Sequence, residues 1–248
     1  MKKIKTAFGE WVHRWRVLLN DRAYVWSLVA GIAIFVAAYF VNYWASVAHD
    51  QVHYAPVGDL ILNWLPTYDL EFIFTWGIWT LVALTILYPT IFKPELWPFV
   101  LKTFGILFLV RSCFITLTDI GPPEGFFYEN GVTVGTNPLR ELIFRNDLFF
   151  SGHVAIPFLS FLLFKDSKFK WVMLVGAILE AITVLVMHIH YSIDVFSAFF
   201  ITHGVYAISN KVFNDLNERF KALLKKNKWE ELKKVVKRQK RRLKRMVD

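Results

Sequence analysis

The chain has a single cysteine, Cys113, set inside an apolar run, so no disulfide can form within one copy and the redox compartment is left open. Acid is also in short supply. Only 20 Asp and Glu stand against 29 Lys and Arg, for a formal net charge of +9. No Cys/His cluster with metal-ligand spacing occurs, so neither a metal nor another cofactor is expected. Above all, charge is missing from long apolar stretches. Residues 25–47 are 23 in a row without a charge and residues 72–92 are 21, each close to the ~20 that a bilayer core demands.

What is present then reads as a membrane protein. A chain of 248 residues that is 55% hydrophobic and 17% aromatic, yet strongly basic, separates its apolar runs from charged tails. Four further runs follow: 96–118, which includes Lys102 and Arg111, then 148–164, 171–187 and 195–212. The expected fold class is all-α, a polytopic membrane protein of six transmembrane helices with basic amphipathic terminal helices. Residues 24–212 form the membrane catalytic domain between an interfacial segment, 1–23, and a basic tail, 213–248. The first run is too long for the core of a cleaved signal peptide.

Positive charge sets the orientation. With both ends cytoplasmic, 25 Lys and Arg lie on the inner side and only Arg140 and Arg145 in outer loops. His153, opening the fourth run, and His190, just before the sixth, then face the extracytoplasmic or lumenal side. Arg111 lies about 22 Å along the third run at ~1.5 Å per residue, near the same depth.

Those histidines carry the chemistry. His190 and Asp194 are four residues apart, so on a helix the carboxylate shares a face with the imidazole and can orient it as a nucleophile or base. His153 sits just inside a helix start behind Ser151 and Gly152, whose backbone N–H groups would be free to face an anion. Asp147 suits a cap for that helix.

The run from Arg145 and Asn146 through Asp147-Leu148-Phe149-Phe150-Ser151-Gly152-His153 resembles the D-x-L-F-S-G-H-T motif of the sphingomyelin synthase family. His188-Ile189-His190-Tyr191-Ser192-Ile193-Asp194-Val195 is similar to that family's H-x-H-Y-T-x-D-V. Arg111 to Thr118 resembles a third segment, with one arginine where the family often has two. The family lies within the type 2 phosphatidic acid phosphatase superfamily, and the resemblance implies a six-helix fold with its site at the non-cytosolic surface. It implies that His190 attacks the phosphorus of a phospholipid head group, Asp194 holds its tautomer and His153 protonates the departing diacylglycerol. Arg111, Asp147, Ser151, Gly152, Arg145 and Tyr191 are the candidate substrate-binding residues. Implied partners are a phospholipid and, as second lipid, ceramide or diacylglycerol.

The expected function is thus head-group transfer between lipids, with lipid phosphate phosphatase or phospholipase C-like hydrolysis as the alternative and non-enzymatic lipid binding a distant third. Where the phosphatases carry arginine six residues before the second histidine, this chain has Val184, and their upstream K-x-x-x-x-x-x-R-P motif is absent. Fewer cations favour a singly charged diester over a monoester. A departure from the synthases, His203-Gly204 in place of T-R, leaves the head group open.

Elsewhere the expectations are structural. His188 and His203 read as side chains at headgroup depth, and Arg140 and Arg145 as either solvated charges or phosphate contacts. Glu180, in the fifth run, is expected to pair with Lys102 at a similar depth. The loop 119–147 is long enough for a lid. Both tails read as membrane-surface elements attracted to anionic lipid, without a nucleic-acid recognition fold.

Overall fold

The computed structural model describes residues 2–127 and 146–247, and all regular structure among them is helical. Among the described residues there are seven α-helices: α1 (Lys2–Leu19), α2 (Arg22–Asp50), α3 (Ile78–Phe92), α4 (Trp97–Leu117), α5 (Gly152–Leu163), α6 (Lys170–Val186) and α7 (Ser192–Val247). A π-helical turn, Ile73–Gly77, leads into α3, and a 3-10 turn, Pro94–Leu96, leads into α4.

Four helical stretches are long and apolar enough to cross a membrane: Arg22–Asp50, Ile73–Phe92, Pro94–Leu117 and Ser192–Asn227. The other two expected spans are shorter, 12 residues in α5 and 17 in α6. Their surroundings differ. Along α5 the side chains of Val154, Ala155, Leu159 and Leu163 are buried against α3, α6 and α7, so α5 is the central helix. By contrast α6 shows Trp171, Val175, Ile178, Leu179 and Ile182 on an exposed apolar flank.

Lipid tails are as apolar as leucine, so helices in a bilayer associate by close packing and polar links. The most extensive packing is α2 on α4. Gly105 makes it possible, since a Cβ there would meet Ile34 Cγ2 at 2.7 Å. Thr85 of α3 and Ser160 of α5 share a buried hydrogen bond of 2.8 Å.

At the end that carries both chain termini, a proline decides how α1 docks. The carbonyl of Thr90 would find its helical donor at residue 94, but Pro94 has no N–H. The indoles of Trp11 and Trp15 donate to it instead, at 2.9 and 3.2 Å. Tyr24 donates to Pro94 O at 2.7 Å, Arg14 pairs with Glu95 at 3.0 Å, and Asp21 caps α2 through Tyr24 N. The amphipathic α1 is thereby held against the end of α3 and the turn after it, and it also packs on α2 and α7.

Two expectations change here. The boundary at 212/213 falls inside α7, which continues unbroken for 56 residues, about 84 Å at ~1.5 Å per residue. Glu180 does not pair with Lys102. The Lys102 ammonium turns toward α2 and α7, donating to Ser27 Oγ at 2.7 Å and lying over the Phe213 ring, whereas the Glu180 carboxylate packs against Gly77. Similar depth along two helices does not make their faces meet, and α6 packs on α5, α3 and the π-turn instead.

Candidate active site

Between α6 and α7 the chain makes a five-residue strap, 187–191, that delivers His190. The imidazole precedes α7 rather than lying on its first turn, so its approach to Asp194 comes from the turn and not from a shared helix face. Asp194 Oδ2 accepts the backbone N–H of Tyr191 at 2.9 Å, the third helical residue reaching back to the residue that opens the helix. The same oxygen stands 3.5 Å from His190 Nδ1. That is long for a hydrogen bond. Both side chains are buried, and Nδ1 is the ring nitrogen turned toward Asp194.

His153 comes from the first turn of α5 and stacks on Phe74 of the π-turn, ring centroids 4.1 Å apart and 16° from parallel. It lies within electrostatic reach of both His190 and Arg111. Ser151 is the residue before α5, but its N–H is taken by the carbonyl of Asp194 at 3.3 Å. The expected anion cradle therefore moves forward by one position. Gly152, His153 and Val154 are the first-turn amides without an intrahelical acceptor. The bond from Ser151 to Asp194 also ties the start of α5 directly to the start of α7.

Arg111 is engaged on every side. Its Nε donates to Phe150 O at 3.0 Å, Nη1 to Asp147 Oδ2 at 3.0 Å, and Nη2 lies 2.7 Å from Asp147 Oδ1. Asn42 of α2 adds a longer contact at 3.5 Å. The guanidinium covers the Cα of Gly152, where a Cβ would stand 3.6 Å from Nε. It thus sits over the cradle while bracing the segment that leads into α5.

A cavity of about 310 Å³ joins these groups. Arg111, Asp147, Gly152, His153 and His190 form its polar end, and Tyr39, Tyr43, Phe74, Trp79 and Phe108 much of the rest. Another hollow, of about 350 Å³, lies beyond Asn146 among Asp50, Tyr54, Pro123 and Glu124, but neither catalytic candidate reaches it. We therefore place the chemistry at the former. Among the described residues no group of three or more His, Cys, Asp or Glu side chains could hold a metal ion.

Residues 146–211 match the family model PAP2 superfamily C-terminal. The matched stretch is 66 of the 248 residues and takes in both histidines and Asp194. It supports the type 2 phosphatidic acid phosphatase superfamily. No curated protein matches the chain.

Around this candidate site, other expected residues are placed differently. Tyr191 does not line the cavity; its buried hydroxyl donates to Gly121 O at 2.9 Å and accepts from Val57 N at 3.0 Å, so its polar atom is used as a fastener. Arg145, like Arg140 and most of the expected lid, lies outside the described residues. Two contributors had no sequence signal. Asn146 pins the approach to α5 onto the end of α2, donating to His49 O and Val52 O. Asp59 accepts Ser192 N at 2.6 Å together with Ile61 N and Leu62 N. Burial alone would raise its carboxyl, but the backbone amides of Ser192, Leu62 and Ile61 hold it below the usual carboxylate range.

Proposed function

We propose that the protein is a phospholipid head-group transferase resembling the sphingomyelin synthases, working through a phosphohistidine. His190 Nε2 attacks the phosphorus of a phosphodiester lipid and the bond to the diacylglycerol oxygen breaks. His153 supplies the proton that this oxygen takes up. The head-group phosphate is then carried on His190 until the hydroxyl of a second lipid, ceramide or diacylglycerol, attacks it and surrenders its proton to His153. Asp194 holds Nδ1 of His190 throughout, and the first-turn amides of α5 with Arg111 bear the charge on the phosphoryl oxygens.

The observation that carries the diester reading is charge. Arg111 is the one Lys or Arg among the described residues lining the cavity, and Asp147 already neutralises it. A monoester brings nearly two negative charges and gains most from free cations, whereas a diester brings one. Transfer to a lipid rather than to water is supported by the aromatic walls of the cavity, contributed by α2, α3 and α4, which suit an apolar acceptor.

The sidedness follows the same reading: α5 and α6 complete six crossings, both termini are cytoplasmic and the site faces the extracytoplasmic or lumenal side. The exposed apolar flank of α6 fits a helix in contact with lipid. A cysteine replacing Leu60, which is 78% exposed at the site end, is expected to react with an impermeant maleimide added outside, and one replacing Ser167 is not. The reverse pattern would overturn the orientation.

The reaction is tested with purified protein in mixed micelles containing labelled phosphatidylcholine, phosphatidylethanolamine or phosphatidic acid, each with and without ceramide. Diacylglycerol from one of the diesters is expected to exceed that from phosphatidic acid several-fold, with the head group appearing on ceramide when it is present. Efficient dephosphorylation of phosphatidic acid with the diesters untouched would establish the phosphatase reading in its place.

A further inference from the structure

The strap that carries His190 begins at a helix end where glycine is the preferred residue. Ile189 N–H returns to Val184 O at 2.9 Å and His188 N–H to Leu185 O at 3.0 Å. This paired closure of a helix puts the residue after the cap in the left-handed region. Here that residue is His188, at φ 50°. A side chain is disfavoured in such a place, so the imidazole has to contribute something that glycine could not.

Its two nitrogens answer this. Nδ1 lies 2.8 Å from Glu124 O and Nε2 3.0 Å from Leu65 O. Both partners are carbonyl oxygens, which only accept. A neutral ring carries one N–H and one lone pair, so it serves one carbonyl and opposes the other; an imidazolium serves both. Gly125, itself at φ 74°, lets the loop come this close, since a Cβ there would stand 3.3 Å from Nδ1. The same loops donate hydrogen bonds to the end of α6 and the start of the strap: Tyr68 N to Val186 O at 3.2 Å and Phe127 N to Met187 O at 3.3 Å.

We infer that His188 is a positioning residue: as an imidazolium it clamps the loops at residues 65–68 and 124–127 onto the strap, and so fixes where His190, two residues on, stands in the cavity. The three neighbouring aspartates are engaged with backbone amides. Asp59 is bound to Ser192 N, Asp69 to Glu71 N, and Asp194 to Tyr191 N, while Glu124 and His53 line the outer hollow. Glu71, Tyr191 and His190 complete the titratable set on the elements packed around it. The clamp needs an N–H on both ring nitrogens and has one contact fewer when the ring is neutral.

The test uses the full-length protein in detergent micelles and does not depend on activity. Hydrogen exchange in peptides covering residues 62–68 and 124–127 is followed between about pH 5.5 and about pH 8.5, with rates corrected for the intrinsic pH dependence of exchange. Wild-type protection in both segments is expected to fall at least tenfold across that range. His188→Gly keeps the backbone preference of the helix end and removes the ring; His188→Asn tolerates the same backbone and offers a single donor group. Both are expected to show low protection that does not vary with pH. Wild-type protection that is flat with pH, or His188→Gly protected like wild type, would overturn the clamp.

A second readout rests on the proposed transferase reaction. With phosphatidylethanolamine as probe, both variants are expected to lose about tenfold in kcat with KM within twofold, because the nucleophile and not the lipid is displaced. Unchanged kcat in His188→Gly would again overturn the proposal. Failure of the wild type to release diacylglycerol would count against the reaction, and the exchange data alone would then decide the clamp.

Discussion

The two ends of the bundle are fastened by the same chemistry to opposite effect. At the end carrying the termini, side chains from α1 and α2 reach carbonyls and a carboxylate on the last turn of α3 and the 3-10 turn after it: Trp11 and Trp15 on Thr90 O, Tyr24 on Pro94 O, Arg14 on Glu95. At the other end the loops are fastened just as firmly, by Tyr191, Asp59 and His188, yet Ser151 Oγ, His190 Nδ1 and Asp194 Oδ1 remain buried without a hydrogen-bond partner. A buried polar group without a partner is costly. Unpartnered buried atoms also occur along α7, at Thr202 Oγ1, Ser209 Oγ and Asn217 Oδ1; what sets the site end apart is that its unpartnered atoms belong to His190, which lines the cavity, and to the Asp194 beside it.

Substitutions at the two ends should therefore separate activity from stability. The largest effect is expected from His190→Ala, which removes the proposed nucleophile: release of diacylglycerol should fall on the order of 10⁴-fold or more, with no phosphohistidine trapped by acid quench, and with little change in melting temperature. Near wild-type turnover would remove His190 from its role. Next comes His153→Ala. A general acid contributes roughly 10²–10⁴-fold, so natural lipids should lose that much, while p-nitrophenylphosphocholine, whose leaving group needs no proton, should lose far less. Equal losses on both would point to binding instead of protonation.

Asp59→Ala should lie between the two ends in kind. It leaves three backbone amides without their carboxylate, at about 1–3 kcal/mol, and loosens the start of α7, so melting temperature and turnover should fall together. The acid side gives the sign. Because the folded carboxyl titrates below its unfolded value, its contribution is present above the usual carboxylate range and is lost as pH falls through the lowered value. The difference in melting temperature between wild type and Asp59→Asn should therefore shrink on acidification; a difference that grows would contradict the assignment. The smallest effect is expected from Tyr24→Phe, about 1 kcal/mol of stability from one lost hydrogen bond to Pro94 O, with turnover unchanged.

What could be read in the sequence is what is local. The helices follow from uninterrupted apolar runs, and His153, His190 and Asp194 from short motifs whose members the structure brings to one cavity or its rim. Contacts made across the chain were not legible. Asp59 reaches Ser192 over 133 positions, and nothing about a lone aspartate in a polar loop announces that. Phe74 under His153 looked like one more apolar residue of a span. Tyr191 was read from its motif as touching substrate, but which way a side chain leaves a strap depends on loops that a motif does not encode. His188 reads as an interfacial histidine until its left-handed backbone and two carbonyl partners are seen together.

The unbroken course of α7 has a mechanical consequence. The turn that positions Asp194 and the basic extension toward Val247 belong to one rod without a joint, and Asp59 holds one tip by Ser192 N while Asp21 meets Arg219 farther along. A rod pinned at two points turns as a unit. Whatever the basic extension rests against beyond Arg219 therefore acts with a lever arm of about 40 Å, from 28 further residues at ~1.5 Å each. Even a slight tilt there reaches the far tip as a rotation of the carboxylate that orients His190.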